Sequence, residues 1–256
     1  MARPHGFDHF CNYLKGFENQ YVIIGGGAAS ILMDDQQLEF RATKDVDLVV
    51  LTRSNELNTR ILAYIKDGNY EEKGATDSKP KYYRFTKPQS LECPKMIEIF
   101  TRNELGLELE KGQHIIPIQN KDAERLSAIL LDNEYFGLIR GNLVTSASGI
   151  PLINSIANIC LKARAHRELF ARKENGDTGV DQADIQKHLK DIWRLAVTLT
   201  GNEKVKLSAT PATDIENAIR KLEALPNDQF KQVMGKIPGA DRVALMGILK
   251  RVFLKK

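Results

Sequence analysis

Residues 43–50 read TKDVDLVV, two aspartates one residue apart at the mouth of an otherwise apolar run. On a β-strand alternate side chains share a face, so Asp45, Asp47 and Val49 point one way and Val46, Leu48 and Val50 the other. The two carboxylates become same-face neighbours roughly 6–7 Å apart. Like charges at that spacing repel unless a cation lies between them or the strand end is solvated. Outward from this stretch, residues 21–33, YVIIGGGAASILM, read as a short buried strand, a glycine turn and a new helix. Residues 54–68 open with Ser54 three positions before Leu57 and continue as an amphipathic helix ending near Gly68. Strand-like stretches follow at 81–85 (KYYRF), 95–101 (KMIEIFT) and 114–118 (HIIPI). A helix at the start, with Phe7, Phe10, Cys11 and Leu14 on one side, precedes them. This alternation predicts an α/β or α+β domain with a mixed sheet over residues 1–148.

From residue 149 onward the expectation is an all-helical domain to residue 256, with a sub-boundary near 201–212. Residues 151–173 and 181–200 read as long helices joined by ENGDTGV, and 201–213 as a linker. A third helix, capped by Thr213 or Asp214, runs to Leu225, and two more close the chain around 228–236 and 241–254. Residues 1–148 carry 18 Lys+Arg against 21 Asp+Glu, net −3; residues 149–256 carry 19 against 12, net +7. That asymmetry suits a polyanionic ligand shared between the two parts, though solvated helices also carry surplus lysine.

No segment approaches the roughly 20 apolar residues of a membrane span, and the N-terminal stretch lacks a signal-peptide core, which predicts a cytoplasmic protein without membrane association. Cys11, Cys93 and Cys160 lack any CxxC spacing and read as reduced structural thiols. The final helix is amphipathic and basic, and docking on the helical part explains it better than a lipid surface does.

Two chemistries compete for the glycine turn. Backbone N–H groups and the positive end of a helix dipole at Gly25–Ser30 suit phosphate, although a tight strand-to-helix turn needs no ligand. Gly25, Gly27 and Ser30 nearly spell a dinucleotide fingerprint, with Asp45 twenty residues after Gly25. Against it, the third glycine is a serine and the acids precede the apolar run of their strand. Metal-dependent nucleotidyl transfer fits better: attack on an α-phosphate is assisted by two divalent ions, and Mg²⁺ takes hard oxygen ligands such as Asp45 and Asp47. Glu98, interrupting the apolar strand MIEIF, is the candidate third carboxylate.

The order GGGA, RATKDVDLV, PKMIEIF resembles the nucleotidyltransferase superfamily with the polymerase-beta-like catalytic fold, and more narrowly the AbiEii-type toxin nucleotidyltransferases. Arg41, Thr43, Asp45 and Asp47 match the R-x-T-x-D-[IV]-D stretch of that family. Lys162 in LKARA and the stretch KHLKDIWRL resemble its downstream motifs. The resemblance implies a two-part enzyme that moves a nucleoside monophosphate from a nucleoside triphosphate to an acceptor hydroxyl, with tRNA, other RNA or a protein as acceptor. It further implies a toxin role paired with a cognate antitoxin. Asp45, Asp47 and Glu98 would be catalytic and hold two Mg²⁺ ions. Gly25, Gly26, Thr43, Lys162, Lys187 and Asp191 would bind the nucleotide, Lys162 meeting its phosphates. The Gly25–Gly26 pair replaces the Gly-Ser frequent in the superfamily, and His188 stands where many relatives carry an acid. From physics alone, Lys162 reads as a lysine snorkelling from an apolar helix face, and Lys187, Asp191 and Arg194 as an ion-pair ladder. A non-catalytic nucleotide-binding module with the same fold and a dinucleotide-dependent oxidoreductase are the alternatives.

Overall fold

A computed structural model describes residues 5–43, 45–72, 82–100 and 133–254. Seven strands form one mixed sheet among these residues, in the order β3-β4-β5-β2-β1-β7-β6. They are β1 (Tyr21–Ile24), β2 (Asp45–Val50), β3 (Glu71–Glu72), β4 (Tyr82–Thr86), β5 (Met96–Phe100), β6 (Leu143–Thr145) and β7 (Pro151–Ile153). The first three helices are α1 (Phe7–Tyr13), α2 (Gly25–Asp34) and α3 (Asn55–Asp67). Phe7, Phe10, Cys11 and Leu14 are all buried, as their helical spacing predicts, and Ser54 Oγ accepts from the Leu57 N–H to start α3. The three cysteines are free and buried. The strand expected at 114–118 lies outside the described residues.

The sheet explains how acids at the start of a strand reach the glycine turn. Strand β2 runs antiparallel to β1, placing Asp47 opposite Ile24, the last residue before the turn. A dinucleotide-binding unit requires those two strands to be parallel, so the fingerprint reading fails on topology. Strand β5 runs parallel to β2 with Glu98 opposite Asp47, and β4 runs antiparallel to β5 with Arg84 opposite Glu98.

The expected all-helical stretch begins later than residue 150. Pro151–Ile153 is a strand, parallel to β1 and hairpinned to β6, and Asn154 caps the following helix through its side chain and the Ala157 N–H. Three residues, Pro151 to Ile153, ahead of an Asn-Ser cap complete the sheet instead of extending the helix. The hairpin crosses the 148/149 position.

The remaining helices are α4 (Asn133–Arg140), α5 (Ser155–Glu174), α6 (Gln182–Ala196), α7 (Ala209–Ala224), α8 (Asn227–Met234) and α9 (Arg242–Phe253). Helix α5 packs on α6, α7 and α2, while α8 and α9 cover α6. Helix α7 begins four or five residues before the expected cap, with Ser208 at the cap position. Pro211 is tolerated because N–H groups in a first turn have no intrahelical partner. Asp214 is fully buried inside that helix, where it accepts from Tyr135 Oη at 2.7 Å and pairs with Arg167. Among the described residues no helix is long and apolar enough to cross a membrane.

Candidate active site

A cleft of about 360 Å³ opens between the sheet and helices α5 and α6. Its sheet wall carries Gly25, Gly26, Thr43, Asp45, Asp47, Arg84 and Glu98; its helical wall carries Asn158, Leu161, Lys162, Lys187 and His188. Eight of the nine residues singled out from the sequence line this cleft. The ninth, Asp191, lies behind the helical wall with no solvent exposure.

The glycine turn is shaped around the acids. Gly25 has φ +67°, and a Cβ there would fall 2.1 Å from Asp47 Oδ2; a Cβ on Gly26 would fall 2.8 Å from Thr43 Oγ1. Both positions let the backbone approach groups a side chain would displace. From the helical wall Asn158, itself fully buried, donates through Nδ2 to the Gly25 carbonyl at 3.0 Å.

Burial, then the neighbouring Glu98 carboxylate, raises the Asp45 carboxyl above its ordinary range. Asp47 is raised well above that range, first by burial and then by the charge of Glu98, with which it also shares a hydrogen bond. Arg84 Nε donates to Glu98 Oε1 at 2.6 Å, so one of the three acids is already paired. Hard oxygen donors whose ionisation is opposed first by burial and then by one another's charge fit a divalent cation. No group of three or more His, Cys, Asp and Glu among the described residues converges tightly enough to cage an ion unaided. Phosphate oxygens and water would have to supply the other positions, as is usual for Mg²⁺.

The opposite wall is cationic. Arg41 reaches across from the segment before β2 to grip Asp191 with two hydrogen bonds of 2.9 and 2.7 Å. Lys162 Nζ lies 3.4 Å from the same carboxylate and Arg194 Nη1 3.1 Å. Burial opposes ionisation of Asp191, but Lys162, Arg41 and Arg194 outweigh it and hold the carboxyl below the usual carboxylate range. Lys162 does not snorkel: its side chain is 8% exposed, and burial lowers its ammonium pKa against the opposing pull of Asp191. The expected Lys187–Asp191 rung is replaced by a 3.8 Å pair between Lys187 and Asp184, because Asp191 points inward to three other cations. His188 is half-buried with Nδ1 enclosed and without a hydrogen-bond partner among the described residues; burial, then Lys162, push its ring well below the ordinary histidine range, keeping it neutral.

No family model and no curated protein matches the chain.

Sequence reasoning missed Arg84 and Asn158. Arg84 is recoverable from a period-two signal, since the strands YYRFT and MIEIF pair with the single charge of each opposed. Asn158 carries no such cue, because it occupies a helix position whose partner is a distant backbone carbonyl.

Proposed function

We propose that the protein is a Mg²⁺-dependent nucleotidyltransferase that moves a nucleoside monophosphate from a nucleoside triphosphate to an acceptor hydroxyl. One observation carries the reading: Asp47 lies in register with both Ile24, at the glycine turn, and Glu98, facing a buried lysine across the cleft. Asp45 and Asp47 would hold the metal, with Glu98 completing the set. When bound, the metal neutralises charge on the reacting phosphate and lowers the pKa of an attacking hydroxyl.

The chain's own groups do the rest. The free N–H groups of the turn receive phosphate oxygens, with Gly25 and Gly26 admitting them close to the acids. Lys162 and Arg41, oriented by Asp191, offset the triphosphate charge, and Lys187 adds a cation at the cleft mouth. Glu98 accepts the proton of the attacking hydroxyl. A toxin role with a cognate antitoxin belongs to the same reading and rests on the motif resemblance alone.

The test incubates the protein with Mg²⁺, each labelled nucleoside triphosphate and total RNA or lysate, beside Asp47→Asn. Label should move to an acceptor with the wild type and fall about 10³-fold in the variant, the several kcal/mol that metal-assisted charge stabilisation supplies. Transfer equal in both would remove this site. If Mg²⁺ and triphosphates raise the melting temperature yet no label moves under any condition, a non-catalytic nucleotide-binding module is the better description.

A further inference from the structure

Resting on that reading, we infer that Arg84 is the acceptor-side residue of the cleft and that the acceptor carries a phosphate beside its attacking hydroxyl, as the 3′ end of an RNA does. Side by side across the sheet stand the turn after Ile24 on β1, Asp47 on β2, Glu98 on β5 and Arg84 on β4. Three strand spacings separate the turn from Arg84, roughly 14 Å. The cations that can receive the triphosphate stand toward the turn: a Cβ on Gly26 would lie 3.8 Å from Arg41 Nη2, and Lys162 shares Asp191 with Arg41. Arg84 is a cation on the far side of the acids, only 15% exposed and lining the same cleft.

In-line displacement fixes what meets it. The acceptor oxygen forms its bond to the α-phosphorus as the bond to the bridging oxygen of the β-phosphate breaks, so the pyrophosphate departs opposite the incoming hydroxyl. The hydroxyl proton passes to Glu98. With the departing phosphates held at the turn, the acceptor enters from the Arg84 side. There a planar guanidinium can grip a phosphate with two hydrogen bonds. In the structure that guanidinium engages Glu98, the carboxylate that takes the proton. An acceptor phosphate beside the attacking hydroxyl meets that same guanidinium, whereas a neutral protein hydroxyl brings no anion to it.

The experiment compares wild type, Arg84→Met and Arg84→Lys, all full length. One arm measures anisotropy of a fluorescent single-stranded oligoribonucleotide with a free 3′ hydroxyl, without metal; a second measures transfer kinetics with that oligonucleotide and with a serine- and tyrosine-containing peptide. Arg84→Met should weaken RNA binding at least 5-fold, lower the salt slope by about one, and raise the acceptor KM at least 10-fold while the triphosphate KM holds. Arg84→Lys should recover part of each loss. Melting temperatures of the variants separate these effects from misfolding. The inference is overturned if wild type binds no RNA, if folded Arg84→Met binds and labels RNA as wild type does, or if the peptide is labelled independently of Arg84. RNA bound through Arg84 with no triphosphate turned over would instead overturn the nucleotidyl-transfer reading while leaving Arg84 an RNA contact.

Discussion

Gly25 does three things at once. Its φ of +67° turns the chain from β1 into α2, its missing Cβ leaves Asp47 in place, and its carbonyl accepts from Asn158. Gly25→Ala therefore meets two separate penalties: a left-handed backbone costing about 1–2 kcal/mol for a residue with a side chain, and a methyl 2.1 Å from Asp47 Oδ2. The expected outcome is a fall of at least that size in urea-derived stability, accompanied by loss of triphosphate-dependent stabilisation in a melting assay. A variant that retained both would mean that the turn is not the phosphate site. At this scale the sequence was most informative where chemistry is local: spacing of two put Asp45 and Asp47 on one face, and the glycines marked the turn. It was silent where the partner is remote. Asp191 is separated from Arg41 by 150 residues, and helical spacing named Lys187 as its partner when burial reserved it for Arg41, Lys162 and Arg194.

Helix α5 links the site to the scaffold. Asn158 and Lys162, one turn apart, face the cleft, while His166, a further turn on, is buried beside Phe170, whose ring stacks 6.1 Å away. Lys221 from α7 sits over that phenyl ring at 4.5 Å. Burial, then the Lys221 charge, lower the His166 imidazole to about 4. The folded chain thus resists a proton that the unfolded chain accepts near pH 6.5. Stability contributed by neutral His166 is fully present above pH 6.5 and is lost as pH falls from 6.5 toward 4, by about 2–3 kcal/mol at the lower end. Urea titrations at pH 7, 5.5 and 4.5 should show His166→Gln losing less stability across that window than wild type; parallel losses would place the acid sensitivity elsewhere. The same helix shows why element boundaries escaped the sequence. Pro151–Ile153 has the apolar character of α5, and only pairing with β1 makes it a strand. In the same way Asp214 has the residue type of a cap but the environment of a buried acceptor for Tyr135.

At the scale of the whole molecule, the two differently charged parts share both a core and polar contacts. The buried side chains of the sheet and those of α5, α6, α7 and α9 belong to one continuous core, and Arg41 grips Asp191 across the cleft. A cleft built this way is positioned by both parts, so its cationic wall should not survive unfolding of either. Trp193, the sole tryptophan, reports on the helical part: it is buried two residues beyond Asp191, edge-on to Phe230 and donating to Met246 Sδ. Far-UV circular dichroism reports on all the elements together. Coincident thermal transitions by the two probes are expected of a single cooperative unit. Asp191→Asn leaves Arg41, Lys162 and Arg194 around a neutral amide, and removing one partner of a buried ion pair costs about 3–5 kcal/mol. Because the core is shared, that loss should move both probes down together, and with them the temperature to which Mg²⁺ and a triphosphate can hold the fold. If Trp193 fluorescence instead melted ahead of the circular dichroism in the wild type, the helical part would be an independent unit. The Arg41–Asp191 bond would then be a latch between two bodies and not a part of one.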